Sequence, residues 1–170
     1  MKRIAMIMTM VLTVMAVYAQ SEVNVYIADP SGTPTNVRST PGGAVVATLS
    51  NDDGGIVVNL LEIRNNWWHI YPVVEFWGDD DHEITLTGST TGYWVHRSVL
   101  GLGIAGDPTD ALRAKPSWKA RVVDIPSSTE LSFRPVAMKG KWLKVISTDG
   151  RCTGWLHCDR ICFNPLTTCP

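Results

Sequence analysis

The chain has 170 residues, 45% of them hydrophobic and 18% charged, and 15 Lys and Arg against 16 Asp and Glu leave a net charge of −1. Its basic residues never run longer than two together, so nothing in the sequence suggests nucleic acid or an anionic membrane surface as partner. The length suits one ordinary domain or two small ones.

The chain opens as an export signal. Lys2 and Arg3 give a positive start, Ile4 to Val17 form an apolar stretch broken only by Thr9 and Thr13, and Val17-Tyr18-Ala19 places small residues before Gln20. That stretch is too short to span a bilayer and ends in a cleavage pattern. Residues 1–19 are therefore expected to be removed, leaving no membrane anchor and a periplasmic or extracellular protein. Loss of Lys2 and Arg3 takes the net charge to about −3. No Cys follows the apolar run, so a bacterial lipid-anchor signal is missing.

Beyond the signal, apolar residues alternate or come in short runs, punctuated by Gly, Pro, Asn, Asp and Ser. This is an all-β pattern. Strands are predicted over Val23–Ile27, Val45–Leu49, Ile56–Ile63, Trp67–Val74, Glu83–Thr87, Tyr93–Val95, Ala120–Asp124, Trp142–Ser147 and Arg151–His157. Turns fall at Asp53-Gly54-Gly55, Arg64-Asn65-Asn66 and Thr148-Asp149-Gly150.

A weak repeat organises these strands. The first copy holds Asn36-Val37-Arg38-Ser39-Thr40-Pro41, then Trp67-Trp68-His69-Ile70, then Gly92-Tyr93-Trp94-Val95-His96. The second holds Ala111-Leu112-Arg113-Ala114-Lys115-Pro116, then Trp142-Leu143-Lys144-Val145, then Gly154-Trp155-Leu156-His157. Residues 100–108 between them are Gly-rich and partly apolar, which reads as a tight connector.

These motifs resemble the bacterial SH3-like (SH3b) domain family. Its members show an Asn-Val-Arg-x-x-Pro start, a Trp-Trp-x-Val strand and a closing Gly-Trp-Val strand. The resemblance covers roughly residues 23–100 and 108–163. It implies two tandem small β-barrels, the first over residues 20–103 with a hairpin insert at 71–91, the second over 104–170 with a Cys-rich C-terminus. Strand alternation puts Leu143 and Val145 inside the second barrel, so Trp68 and Ile70 are expected in the first core and Trp67 and Trp142 on the outer face.

The resemblance also implies a binding surface. Trp67 and Trp142 stand where SH3-like domains present a ligand-facing Trp, and His96, His157 and Arg160 fall on the turn that borders the same groove; His69 shares the face of Trp67. Val99 and Arg160 stand where eukaryotic relatives carry Tyr, which counts against polyproline recognition. The acidic run Asp79-Asp80-Asp81-His82-Glu83 lacks EF-hand spacing and reads as a solvated hairpin tip rather than a Ca²⁺ site.

All four cysteines, Cys152, Cys158, Cys162 and Cys169, lie in the last 19 residues. An oxidising compartment favours disulfides. Cys152 and Cys158 are read as lying on one strand, where six extended residues separate them by roughly 20 Å, beyond the reach of about 7 Å that a disulfide allows. Cys162 and Cys169 are then expected to pair with them, in either order. A zinc site including His157 is disfavoured, because the spacing lacks a Cys-x2-Cys knuckle.

No Gly-x-Ser-x-Gly elbow and no His-x-x-x-His pair occurs. The expectation is a non-catalytic binding or adaptor module, without cofactor or metal, for cell-wall peptide, peptidoglycan glycan or a protein partner. The alternatives are a structural or assembly protein using the 71–91 hairpin, or an inhibitor of a cell-wall enzyme.

Overall fold

The structure, a computed structural model, describes residues 23–32, 34–50, 54–164 and 166. The expected signal at 1–19 and Cys169 lie outside the described residues. Among the described residues, no helix is long and apolar enough to cross a membrane.

Thirteen strands carry the described chain. They are β1 (Asn24–Ile27), β2 (Thr35–Arg38), β3 (Val45–Leu49), β4 (Gly55–Arg64), β5 (Trp67–Trp77), β6 (His82–Thr85), β7 (Tyr93–His96), β8 (Leu100–Gly101), β9 (Gly103–Ile104), β10 (Phe133–Lys139), β11 (Trp142–Ser147), β12 (Thr153–His157) and β13 (Ile161–Cys162). Short 3₁₀ turns lie at Arg97–Val99, Pro108–Asp110 and Cys158–Arg160. The all-β expectation holds.

One sheet runs β3-β2-β7-β5-β4-β1-β8, with β6 paired to the far part of β5. A second sheet is β10-β11-β12 and a third is β13-β9. None of these sheets closes into a barrel, whereas two barrels were expected. In the second half, the counterpart of β2 makes only isolated bridges, Arg113 to Val122 and Arg113 to Trp155. The strand expected over Ala120–Asp124 is likewise reduced to that bridge at Val122.

The two halves repeat at the level of hydrogen-bond register. Trp67, Trp68, His69 and Ile70 pair with His96, Val95, Trp94 and Tyr93. Trp142, Leu143, Lys144 and Val145 pair with His157, Leu156, Trp155 and Gly154. The strand before each Trp pairs through a two-residue turn, Arg64 to Trp67 and Lys139 to Trp142. The first turn places Asn65 and Asn66 at φ 50° and 69°, which short polar side chains tolerate. The backbone N–H of Arg97 donates to Asn66 at 2.9 Å, and that of Cys158 donates to Lys141 at 2.8 Å.

Alternation sorts the faces of β5 as expected. Trp68, Ile70 and Val74 are fully buried, as are Leu143 and Val145 on β11. These residues belong to one apolar core that also takes Val25, Leu100, Leu102, Leu112 and Phe133, so the halves share it. The Gly-rich connector is part of the scaffold: β8 pairs with β1 and β9 with β13. Between them, Leu102 and Phe133 exchange both backbone hydrogen bonds, at 3.0 and 2.8 Å.

β10 was not foreseen, because Pro135 sits inside it. Proline is tolerated there because β10 is an edge strand and its register slips between Pro135 and Ala137. The 71–91 insert is the continuation of β5 past Ile70, folded back as β6. Val73 pairs with Thr85 and Phe76 with His82. At its tip Gly78 N–H donates to the Asp81 carboxylate at 2.8 Å. Trp77 meets Phe163 edge-on at 5.7 Å, so the insert rests on the C-terminal segment of its own chain.

Candidate functional site

The repeated register brings one side-chain constellation together twice. In the first copy, Trp67 and His96 are cross-strand neighbours, with ring centroids 5.2 Å apart and planes at 66°. The Arg38 guanidinium lies 5.7 Å from the Trp67 ring, as a cation over an aromatic face. Arg38 is oriented by donating to the Gly43 carbonyl at 2.6 Å.

In the second copy, Trp142 and His157 occupy the same register, at 5.0 Å and 76°. Here the arrangement departs from expectation. Trp142 and His157 are buried rather than outward and ligand-facing. Trp118 covers them, with its ring 4.9 Å from each, and Arg113 sits 5.8 Å over Trp118. The loop accounts for this. Ser39 N–H closes on Ala44 in the first copy, whereas Ala114 N–H closes on Arg121 in the second, and the longer excursion carries Trp118. Trp118 is 49% exposed and Trp142 only 9%, so Trp118 is the ring that solvent reaches. Sequence reasoning missed it; the signal was an aromatic residue two places after Pro116 in the second Arg-x-x-Pro unit.

Both histidines also have a local task. His96 and His157 precede 3₁₀ turns and cap them, with Nδ1 accepting from Ser98 N–H at 3.3 Å and from Asp159 N–H at 3.4 Å. Burial pulls the His96 pKa below the usual histidine value, and neighbouring Arg97 pulls the same way.

His69 belongs to a second group on the face of Trp67. It stacks on Trp94 at 4.8 Å with planes at 13°, and Arg64 lies 5.4 Å over the Trp94 ring. Burial lowers the His69 pKa against the opposing pull of Glu62. The Trp94 indole nitrogen is buried without a hydrogen-bond partner.

Arg160 is committed to acceptors of the connector. It donates to Ala105 O at 3.0 Å, Asp107 O at 2.6 Å and the Asp110 carboxylate at 3.2 Å, which pins residues 105–110. Further along the outer sheet face, the hairpin forms a concavity of about 430 Å³ lined by Asn24, Asn59, Tyr71, Val73, Glu75 and Glu83.

The expected cross-links through Cys152 and Cys158 are not made: both are free thiols, while Cys162 is disulfide-bonded. Cys152 precedes β12 and Cys158 follows it, so the two do not share a strand. Burial raises the pKa of both thiols, and a hydrogen bond from the Cys158 thiol to Asp159 raises the second further. His157, Cys158 and Asp159 bring three possible metal-donor atoms within 4.8 Å of one another.

No family model matches the chain, and no curated protein matches it. Among solved structures it is similar to that of NlpC1 from Trichomonas vaginalis, with a TM-score of 0.32 and 12% identity. That likeness covers 91% of this chain and 50% of the other, so the chain spans about half the length of the protein it matches.

Proposed function

We propose that the chain is an exported, non-catalytic binding module of two SH3-like units that takes cell-wall peptide or glycan. The observation that carries this reading is the Trp–His pair, repeated at equivalent register as Trp67–His96 and Trp142–His157, with a guanidinium over an indole in each copy, Arg38 over Trp67 and Arg113 over Trp118. In the second copy it is capped by exposed Trp118. A rigid ring beside a guanidinium gives a flat apolar face and a directional donor, which suits both peptide bonds and sugar rings. Export rests on the positive start and apolar stretch of residues 1–19.

Sedimentation with purified peptidoglycan tests the reading. The wild type should sediment, and Trp118→Ala and Trp67→Ala should each weaken retention. Absence of wild-type binding, or retention of both variants at the wild-type level, would count against it.

The exposed, concave hairpin face around Tyr71, Glu75 and Glu83 favours a second reading, a docking surface for a protein partner. Tyr71→Ser would then abolish capture of that partner while leaving peptidoglycan binding intact.

A further inference from the structure

We propose that His157, Cys158 and Asp159 form a binding site for a zinc-type divalent ion, found in the second copy alone. The Cys158 sulfur lies 3.4 Å from Asp159 Oδ1 and 4.0 Å from His157 Nδ1, and Asp159 Oδ2 lies 3.3 Å from that nitrogen. A tetrahedral zinc ion with bonds of about 2.0–2.3 Å sets its donor atoms roughly 3.3–3.6 Å apart. One donor atom from each residue lies within 4.8 Å of the others, so rotation of the Cys158 and Asp159 side chains brings the three onto one ion. A thiolate with an imidazole selects zinc over magnesium or calcium, which prefer oxygen.

The scaffold is firm. His157 is fixed by its pairing with Trp142 and by the rings of Trp118 and Trp142. The Cys158 backbone is tied to Lys141. The metal replaces the long cap bond from Asp159 N–H to Nδ1 and the hydrogen bond from the Cys158 thiol to Asp159 Oδ1, both at 3.4 Å. On binding, the Cys158 thiol releases its proton to solvent and its sulfur takes up the metal bond.

The first copy is an internal control. The same turn follows His96 there, and His96 makes the same cap, but the next two residues are Arg97 and Ser98. The shared geometry serves the turn, and the thiol and carboxylate are the second copy's addition. Three protein donors leave the fourth tetrahedral position open. The site does not depend on the ligand reading above.

Cobalt(II) titration of the metal-free full chain tests this directly. One equivalent should give a near-ultraviolet thiolate-to-cobalt absorption, displaced by zinc. Cys158→Ser should abolish that band and Cys152→Ser should keep it. Asp159→Asn and His157→Asn should weaken binding; asparagine preserves the cap at the latter position. A folded wild type without the band, a band that survives Cys158→Ser, or a band lost in Cys152→Ser would overturn the proposal.

Discussion

The indole N–H of Trp68, on the inner face of β5, donates to the carbonyl of Pro135 in β10 at 3.1 Å, and the bond is buried. It joins the core of the first copy to the edge strand of the second. The counterpart of Trp68 in the second copy is Leu143, which has no polar atom to offer. The bond is therefore one-sided, a feature of how the copies join rather than of the repeat.

Trp68→Phe removes the donor, leaves the Pro135 carbonyl unsatisfied and opens space beside it. We expect a loss of about 2–4 kcal/mol in urea denaturation, against little change for the more exposed Trp67→Phe. Equal losses for the two variants would remove Trp68 from this role.

Gly92 has φ 123°, and a Cβ there would stand 2.6 Å from His69 Nε2 and 3.2 Å from the Trp94 indole nitrogen. The stacked His69–Trp94 pair leaves little room to yield. Gly92→Ala should cost about 1–3 kcal/mol through backbone strain and should disturb the Trp94 near-ultraviolet circular dichroism signal. An unchanged signal and midpoint would mean that the pair shifts freely.

His69 and His96 both have pKa values lowered chiefly by burial. A lowered value means that the unfolded chain binds these protons first. Their contribution to stability is thus present above about pH 6.5 and is lost as the pH falls through the folded values. Imidazole NMR titrations should show midpoints below that of a free histidine. His69→Gln should flatten the decline in stability below pH 6.5; an equally steep decline would assign it to other groups.

The two free thiols should separate by access. Cys158 is partly exposed and Cys152 is buried, so a thiol reagent should label Cys158 in the native protein and Cys152 only after unfolding. Both pKa values are raised, so stability is present below the ordinary thiol value and is lost as the pH rises through it, where the unfolded chain loses protons that the folded chain keeps. Peptide mapping after timed labelling checks the order, and faster labelling of Cys152 would reverse it.

The inner and outer faces of the Trp-led strands were legible in the sequence because period-two alternation is strong wherever Trp68, Ile70, Leu143 and Val145 point inward. The Trp–His neighbours were legible as repeated motifs. What escaped depends on tertiary context. Pro135 masked β10, since a proline in a strand is acceptable only at an edge, and edges are a property of the sheet. The burial of Trp142 and His157 follows from Trp118, whose position is set by loop length rather than by local pattern. The bonds that Arg160 makes were not legible because the carbonyls it serves, at Ala105 and Asp107, lie some fifty residues earlier in the chain.

Only Leu102 separates β8 from β9, and it is itself paired to Phe133. The junction has no slack to act as a hinge, so Trp67 and Trp118 are held at a set distance. Under the proposed binding function, a ligand that engages both would have to bring its own repeat in matching step, because no linker can stretch to meet it. Avidity would then test ligand spacing: polymers with the right period would gain from both rings, and others would bind as if only one existed.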